Sequence, residues 1–221
     1  MKAKIVLLTT LFLFLVSEIA LSSVVVFVDK GSYMLYVLKE GEVVLEQRVV
    51  IGRKSRPTPA MSDEITHIVI NPTWTVPQKL ARLDVVPHIQ RDPEYIKRKG
   101  FLFFETFRKK NLVKPEDIKW GEYTKQTRFP YTIMQPPGPQ NPLGGIKFIL
   151  TNKRAIFLHG TPSRTHFDYE NREISSGCVR VENEHELAQF LLPHINLKTL
   201  LSTKKEEKWI KLKNPVPVII R

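Results

Sequence analysis

Residues 175–181 read Ser175-Ser176-Gly177-Cys178-Val179-Arg180-Val181, and residues 157–162 read Phe157-Leu158-His159-Gly160-Thr161-Pro162. Each couples a short apolar strand signal to a glycine and a reactive side chain. Taken alone, a lone cysteine is as readily a small buried hydrophobe, and a histidine at a strand end is more often structural. The neighbours shift both readings. Gly177 lets the backbone approach a bound carbonyl, and the consecutive N–H groups of Gly177 and Cys178 make a candidate oxyanion hole. Arg180 sets a fixed charge beside the thiol, which favours thiolate and attracts a substrate carboxylate. His159, followed by glycine, projects into a cleft as a base for Cys178.

Working outward, the chain reads mainly as β structure. Strands are predicted over 24–28, 33–38, 43–51, 67–70, 147–150, 155–158, 179–181 and 216–220, with a hairpin turn at 39–42. Helices are predicted over 80–88, 93–99 and 182–192, the last with Leu187, Phe190 and Leu191 on one face and Pro193 as its stop. The segment from about 77 to 130 is rich in Lys and Arg and reads as an inserted helical lid with few strands. Its Phe101, Phe103, Phe104 and Phe107 look exposed. Residues 131–145 read as a rigid polyproline-like loop, and 204–208 as a solvated charge run.

The 221 residues carry 42% apolar and 25% charged side chains, which excludes collagen, coiled coil and wholesale disorder. A single cysteine excludes an intramolecular disulfide and leaves a zinc site resting on His and carboxylates. Lys2 and Lys4, the apolar run 5–16 and Ala20-Leu21-Ser22 read as a secretory signal over residues 1–22, with the functional domain following directly over 23–221. Glu18 argues against an uncleaved anchor. Loss of two Lys and one Glu changes the formal charge from +12 to +12 − 2 + 1 = +11. An exported basic protein suits an anionic periplasm or cell envelope. Export, and the lack of an Arg-rich stripe, exclude nucleic acid as partner. Membrane contact is expected only through the signal.

His-Gly-Thr-Pro at 159–162 followed by Ser-Ser-Gly-Cys-Val-Arg-Val resembles the signature of L,D-transpeptidases with the YkuD-type catalytic domain. The opening 25–52, the run NPTWTVP at 71–77 and QPPGPQNPLG at 135–144 are similar to the larger periplasmic, 3-3 cross-linking branch. The resemblance implies a β-sandwich of mixed sheets with an inserted helical lid. It implies a Cys enzyme that acylates itself with a stem tetrapeptide at diaminopimelate, releases D-Ala and forms 3-3 cross-links in the cell wall. Cys178 is then the nucleophile and His159 the base. The Gly160 carbonyl orients His159, the Gly177 and Cys178 N–H groups receive the oxyanion, and Arg180 and Ser176 support the site. Trp74 and Phe157 are candidate substrate contacts. No metal and no cofactor is expected. Partners are peptidoglycan stem peptides, with a lipoprotein Lys as an alternative acceptor, and the protein is expected to be a monomer and a carbapenem target. Lipoprotein attachment, D-amino-acid exchange and cross-link cleavage are alternative outcomes of the same acyl-enzyme.

Two other classes compete. A metal hydrolase would draw on His159, His166 and Asp168, but His185-Glu186 lacks the second His of a zinc-binding H-E-x-x-H helix. A catalytically silent wall-binding module would not need His159, Gly177, Cys178 and Arg180 intact.

Overall fold

Alternating Val, Ile and Leu make most strands of this chain two-faced, and that alternation closes a ring. The structure, a computed structural model, describes residues 24–108, 110–202 and 206–221. The expected signal over 1–22 lies outside them, as do Lys204 and Lys205 of the expected charge run. The main sheet comprises β1 (Val24–Asp29), β2 (Met34–Lys39), β3 (Glu42–Gly52), β4 (Met61–Ile70), β9 (Ile146–Leu150), β10 (Leu158–His159), β11 (Glu173–Ser175), β12 (Val179–Val181) and β13 (Lys208–Ile220). Its order is β11-β3-β12-β10-β9-β4-β13-β1-β2, and β2 pairs again with β3. The expected mixed β architecture therefore curls until its ends meet. Parallel pairs β1–β13, β10–β12 and β11–β3 sit among antiparallel ones. Inside lie Val26, Leu35, Ile65, Ile68, Phe148, Leu158, Val179 and Val218, all inaccessible to solvent. Fully burying such a side chain is worth about 1.5–3 kcal/mol.

Two helices pack against this core. Helix α4 (Glu184–Leu191) starts at Asn183, whose side chain accepts the Glu186 N–H, and buries Leu187 and Ala188. The short α5 (Leu197–Ser202) follows it.

The expected helical lid is a mixed unit with its own core. A four-stranded sheet runs β5 (Trp74–Thr75), β8 (Thr132–Gln135), β6 (Leu102–Phe104), β7 (Leu112–Val113). Helices α1 (Gln78–Leu80), α2 (Val86–Arg91) and α3 (Tyr95–Lys99) complete it. Between α1 and α2 the chain widens into a π-helical turn, Ala81–Val85. Pro87 follows at once, and having no N–H and a ring that crowds the preceding turn, it disfavours a regular helix there. Phe101 and Phe103 are buried with Ile89, Phe129 and Ile133, against expectation, whereas Phe107 is 79% exposed. Trp120 stacks on Phe129 at 5.7 Å.

The sequence reading also differs at two loops. Residues 132–135, expected in a proline-rich loop, pair as β8 with β5 and β6. Of the expected strand 155–158 only its end pairs, as β10, because Ala155 takes a left-handed φ of 55° in a turn. Asn152 braces that turn by accepting the N–H groups of Arg154 and Ile156.

Asn141 joins the two units. Its amide donates to the carbonyls of Pro72, Gln135 and Pro136 at 2.9, 3.4 and 3.1 Å, and its oxygen accepts the Leu143 N–H at 2.9 Å. The residue is 1% exposed, so water cannot replace it. Asn141→Ala should therefore lower unfolding stability by about 2–4 kcal/mol, measured by urea denaturation, whereas a change under about 0.5 kcal/mol would contradict this bridging role.

Candidate active site

In a strand, neighbouring side chains point to opposite faces. Leu158 and Val179 therefore point into the core while His159 and Arg180 point out, paired in register across β10 and β12. Lys147 of β9 lies opposite His159 on the other side. The three form one row on the outer face of the ring. Cys178 stands just ahead of β12, next to Phe157, whose carbonyl accepts the Val179 N–H at 3.0 Å.

The turn that presents Cys178 is built from backbone. Gly177 has φ 120°, a conformation L side chains rarely adopt. Thr58 donates its hydroxyl to the Gly177 carbonyl at 2.7 Å and accepts the Gly52 N–H at 2.8 Å. Ser175 Oγ donates to the Cys178 carbonyl at 2.6 Å and accepts the Gly177 N–H at 3.1 Å. The Gly177 N–H is therefore engaged by Ser175, which differs from the oxyanion role expected for it. Gly177 instead allows the turn. Cys178 Sγ lies 3.6 Å from the Ala155 carbonyl, so the strained Ala155 turn faces the thiol.

His159 is 5% exposed, and its Nδ1 lies 2.5 Å from the Gly160 carbonyl. That contact places the proton on Nδ1 and leaves Nε2 as acceptor. Gly160 itself has no room for a side chain, because a Cβ there would fall 2.1 Å from Glu184 Oε1. Glu184 is buried, accepts the Gly145 N–H at 3.4 Å and faces Arg164 at 3.5 Å. Gly144 packs equally closely on the other side, where a Cβ would lie 2.6 Å from the Gly160 carbonyl carbon.

Burial, with the Arg180 and Lys147 charges nearby, pushes His159 down to about 3, despite its bond to Gly160. Burial pushes the Cys178 thiol up, although a hydrogen bond from Phe157 and the Lys147 and Arg180 charges act the other way. The resting pair is thus neutral thiol and neutral imidazole. Sequence reasoning expected Arg180 to favour thiolate; it does, but desolvation is the larger effect.

Residues that sequence reasoning did not single out complete the site. Lys147, with its pKa lowered by burial, holds its ammonium 3.7 Å above the Phe157 ring. His166, weighed above only as a metal ligand, accepts from the Arg180 guanidinium at 2.8 Å through Nδ1. Its helical turn, Arg164–Asp168, is held by Arg48, which donates to the Phe167 carbonyl and pairs with Asp168 and Glu182. Ser176 Oγ accepts from Arg53 and Arg56, both at 3.3 Å. Arg56 in turn forks onto Asp84 of the inserted unit. These partners come from distant parts of the chain and had no local signal. Of the remaining candidates, Phe157 is at the site, whereas Trp74 packs on Phe101 at 6.3 Å in the inserted unit's core.

Comparisons with known proteins identify the family. The family model for the L,D-transpeptidase catalytic domain, YkuD, matches residues 23–218. A Haemophilus influenzae protein provisionally named as an L,D-transpeptidase is 36% identical over 197 residues. That match covers 86% of this chain, but the chain spans only 39% of the relative's length. Among solved structures, an L,D-transpeptidase from Mycobacterium smegmatis aligns at 11% identity and TM-score 0.46, over 90% of this chain and 58% of that one. The catalytic domain of the E. faecium L,D-transpeptidase, acylated by ertapenem, aligns at 13% identity and TM-score 0.45, over 91% and 98%.

The depressed His159 pKa has a consequence for stability. Unfolded, the ring binds a proton below about 6.5; folded, it refuses one until about 3. The unfolded chain therefore holds more protons in that window, and stability falls as pH is lowered through it. His159→Gln should flatten the fall measured by denaturation between about pH 7 and 5, where carboxylates are still ionised. An unchanged slope would show that the ring is not buried in its neutral form.

Proposed function

Because the chain belongs to the L,D-transpeptidase family, we propose that it catalyses acyl transfer on peptidoglycan stem peptides through Cys178. The observation that carries this reading is the pairing of two strands. It sets His159 alongside Arg180, two residues beyond Cys178, with Nδ1 tied to the Gly160 carbonyl and Nε2 left to take a proton. The donor is a stem tetrapeptide attacked at the carbonyl of the diaminopimelate L-centre. As sulfur bonds to that carbon, the thiol proton moves to His159 Nε2. Collapse of the tetrahedral intermediate breaks the bond to D-Ala, and imidazolium returns the proton to the leaving amine. A thioester remains. The side-chain amine of a second stem attacks it, giving up its proton through His159 and restoring the thiol. The product is a 3-3 cross-link.

Neutral partners suit this sequence. With the thiol held up and the imidazole held down, charge appears only as the bond forms. Lys147 and Arg180 then stabilise the sulfur and oxyanion charge in a site where burial strengthens them. Water and a lipoprotein Lys amine are competing acceptors for the same thioester. The enzyme acts as a monomer in the cell envelope, where its basic surface favours an anionic polymer. The inserted unit serves as a lid over the stem, with exposed Lys97, Arg98 and Lys110 facing carboxylates and the Arg56–Asp84 pair connecting it to Ser176.

Incubation with purified tetrapeptide stems, followed by mass spectrometry of the protein and the muropeptides, tests the chemistry. Cys178→Ala should lose both the acyl adduct and the cross-linked dimer, and His159→Ala should slow acylation roughly 10²–10⁴-fold. An adduct that survives in the Cys178→Ala protein would remove Cys178 from the mechanism. For the lid, Asp84→Asn should cut stem cross-linking several-fold while leaving acylation by a small β-lactam nearly unchanged. Equal loss of both would mean that the contact only maintains the fold.

A further inference from the structure

Arg53 leaves the end of β3 beside the turn that presents Cys178. Val50 pairs with Arg180 of β12 and Gly52 with Ser175 of β11, so the next residue emerges beside both strands. Its backbone N–H donates to the Ser175 carbonyl at 3.1 Å, and a terminal guanidinium nitrogen donates to Ser176 Oγ at 3.3 Å. The rest of the group is poorly matched. A guanidinium has five N–H donors and no acceptor. The Arg53 Nε, shielded from solvent, has no hydrogen-bond partner among the described residues. Asp84 lies 4.0 Å away and is already forked by Arg56. Arg180 meets the neutral ring of His166. Among the described residues, three guanidinium groups thus gather around residues 176–178 for one carboxylate, Asp84. With 40% of its side chain exposed, Arg53 is open to a ligand.

Burial lowers the Arg180 pKa and the Arg53 charge lowers it further, so these two cations sense one another. The Arg180 charge also acts on the Cys178 thiol. An anion held between Arg53 and Arg180 would therefore lie close to the carbonyl under attack. It would relieve the repulsion between the two cations and meet the fork that a guanidinium offers a carboxylate. A stem tetrapeptide brings several carboxylates. The one on the departing D-Ala lies about one residue length, roughly 3.8 Å, from the attacked carbonyl. Those of D-Glu and of the diaminopimelate side chain are about twice as many bonds away. We propose that Arg53, together with Arg180, binds the C-terminal carboxylate of the donor stem, and that this contact selects donors ending one residue past the attacked carbonyl.

This proposal rests on the transpeptidase reading for its donor, and the test separates the two. Tetrapeptide stems ending in a free carboxylate or in a carboxamide are compared in the full chain. The readouts are the rate of thioester formation on Cys178 and calorimetric binding to the Cys178→Ala protein. The parent should favour the free carboxylate by about tenfold or more in both. Arg53→Gln should abolish most of that preference, and Arg53→Lys, which keeps the charge without the fork, should restore part of it. Masking the D-Glu or diaminopimelate side-chain carboxylate instead should leave the Arg53 effect in place. A parent that treats acid and amide alike, an Arg53→Gln protein that loses both donors equally, or a preference that follows another carboxylate would each overturn the proposal. Acid-selective binding through Arg53 without a thioester from any stem would instead overturn the transpeptidase reading and leave the carboxylate site standing.

Discussion

The bond from His159 Nδ1 to the Gly160 carbonyl decides which ring nitrogen faces the reaction, and much of the surrounding packing exists around that one carbonyl. Residue 160 has to be glycine because the Glu184 carboxylate lies where a Cβ would be, and Gly144 presses from the opposite side. Glu184 in turn belongs to the first turn of α4, which Asn183 caps. Gly144 is delivered by the loop that Asn141 organises. Helix, loop and two strands thus converge on a backbone oxygen that does the work a carboxylate does in other catalytic triads. A carbonyl carries no net charge and stabilises imidazolium less than a carboxylate would. That agrees with a histidine that resists protonation at rest.

The electrostatics are a contest between burial and charge. Two cations, Lys147 and Arg180, face a half-buried thiol, and both favour its ionised form. Burial opposes them and prevails. The same burial acts on the cations, lowering the pKa of each. Arg180 is partnered by a neutral imidazole on His166, not by a carboxylate, so its charge stays available to the site. A carboxylate in that position would have neutralised it.

How far the sequence disclosed this depended on whether a signal was local. Cys178, His159, Gly160 and Arg180 sit within two short segments, and the residue types named their chemistry. Lys147, His166, Thr58 and Asp84 reach the site only through pairings between distant segments, and a lysine in a strand or an aspartate in a helix carries no sign of that. The basic composition of 77–130 set that segment apart from the strands that flank it. Its strands, β6 and β7, span three and two residues, too short for a period of alternation to show. For the same reason Phe101 and Phe103 looked exposed: charged neighbours hid a core that forms only when β6 meets β8. Gly177 was read for what its N–H offers, whereas Ser175 two residues earlier takes that N–H and the glycine is needed for its φ.

Placing the reactive side chains on the outer face of a filled ring also protects the fold from misassembly. Leu158 alternates with His159, Val179 with Arg180, and Phe148 with Lys147. A strand that slipped by one residue would turn its whole hydrophobic set outward. Here it would also drive an ammonium, a guanidinium or an imidazole into a dry interior with no anion to meet it, at a cost of several kcal/mol per ion. The groups that serve chemistry therefore double as register locks, and a variant with apolar residues at 147 and 180 would lose discrimination between correct and shifted pairings even where the native packing is untouched.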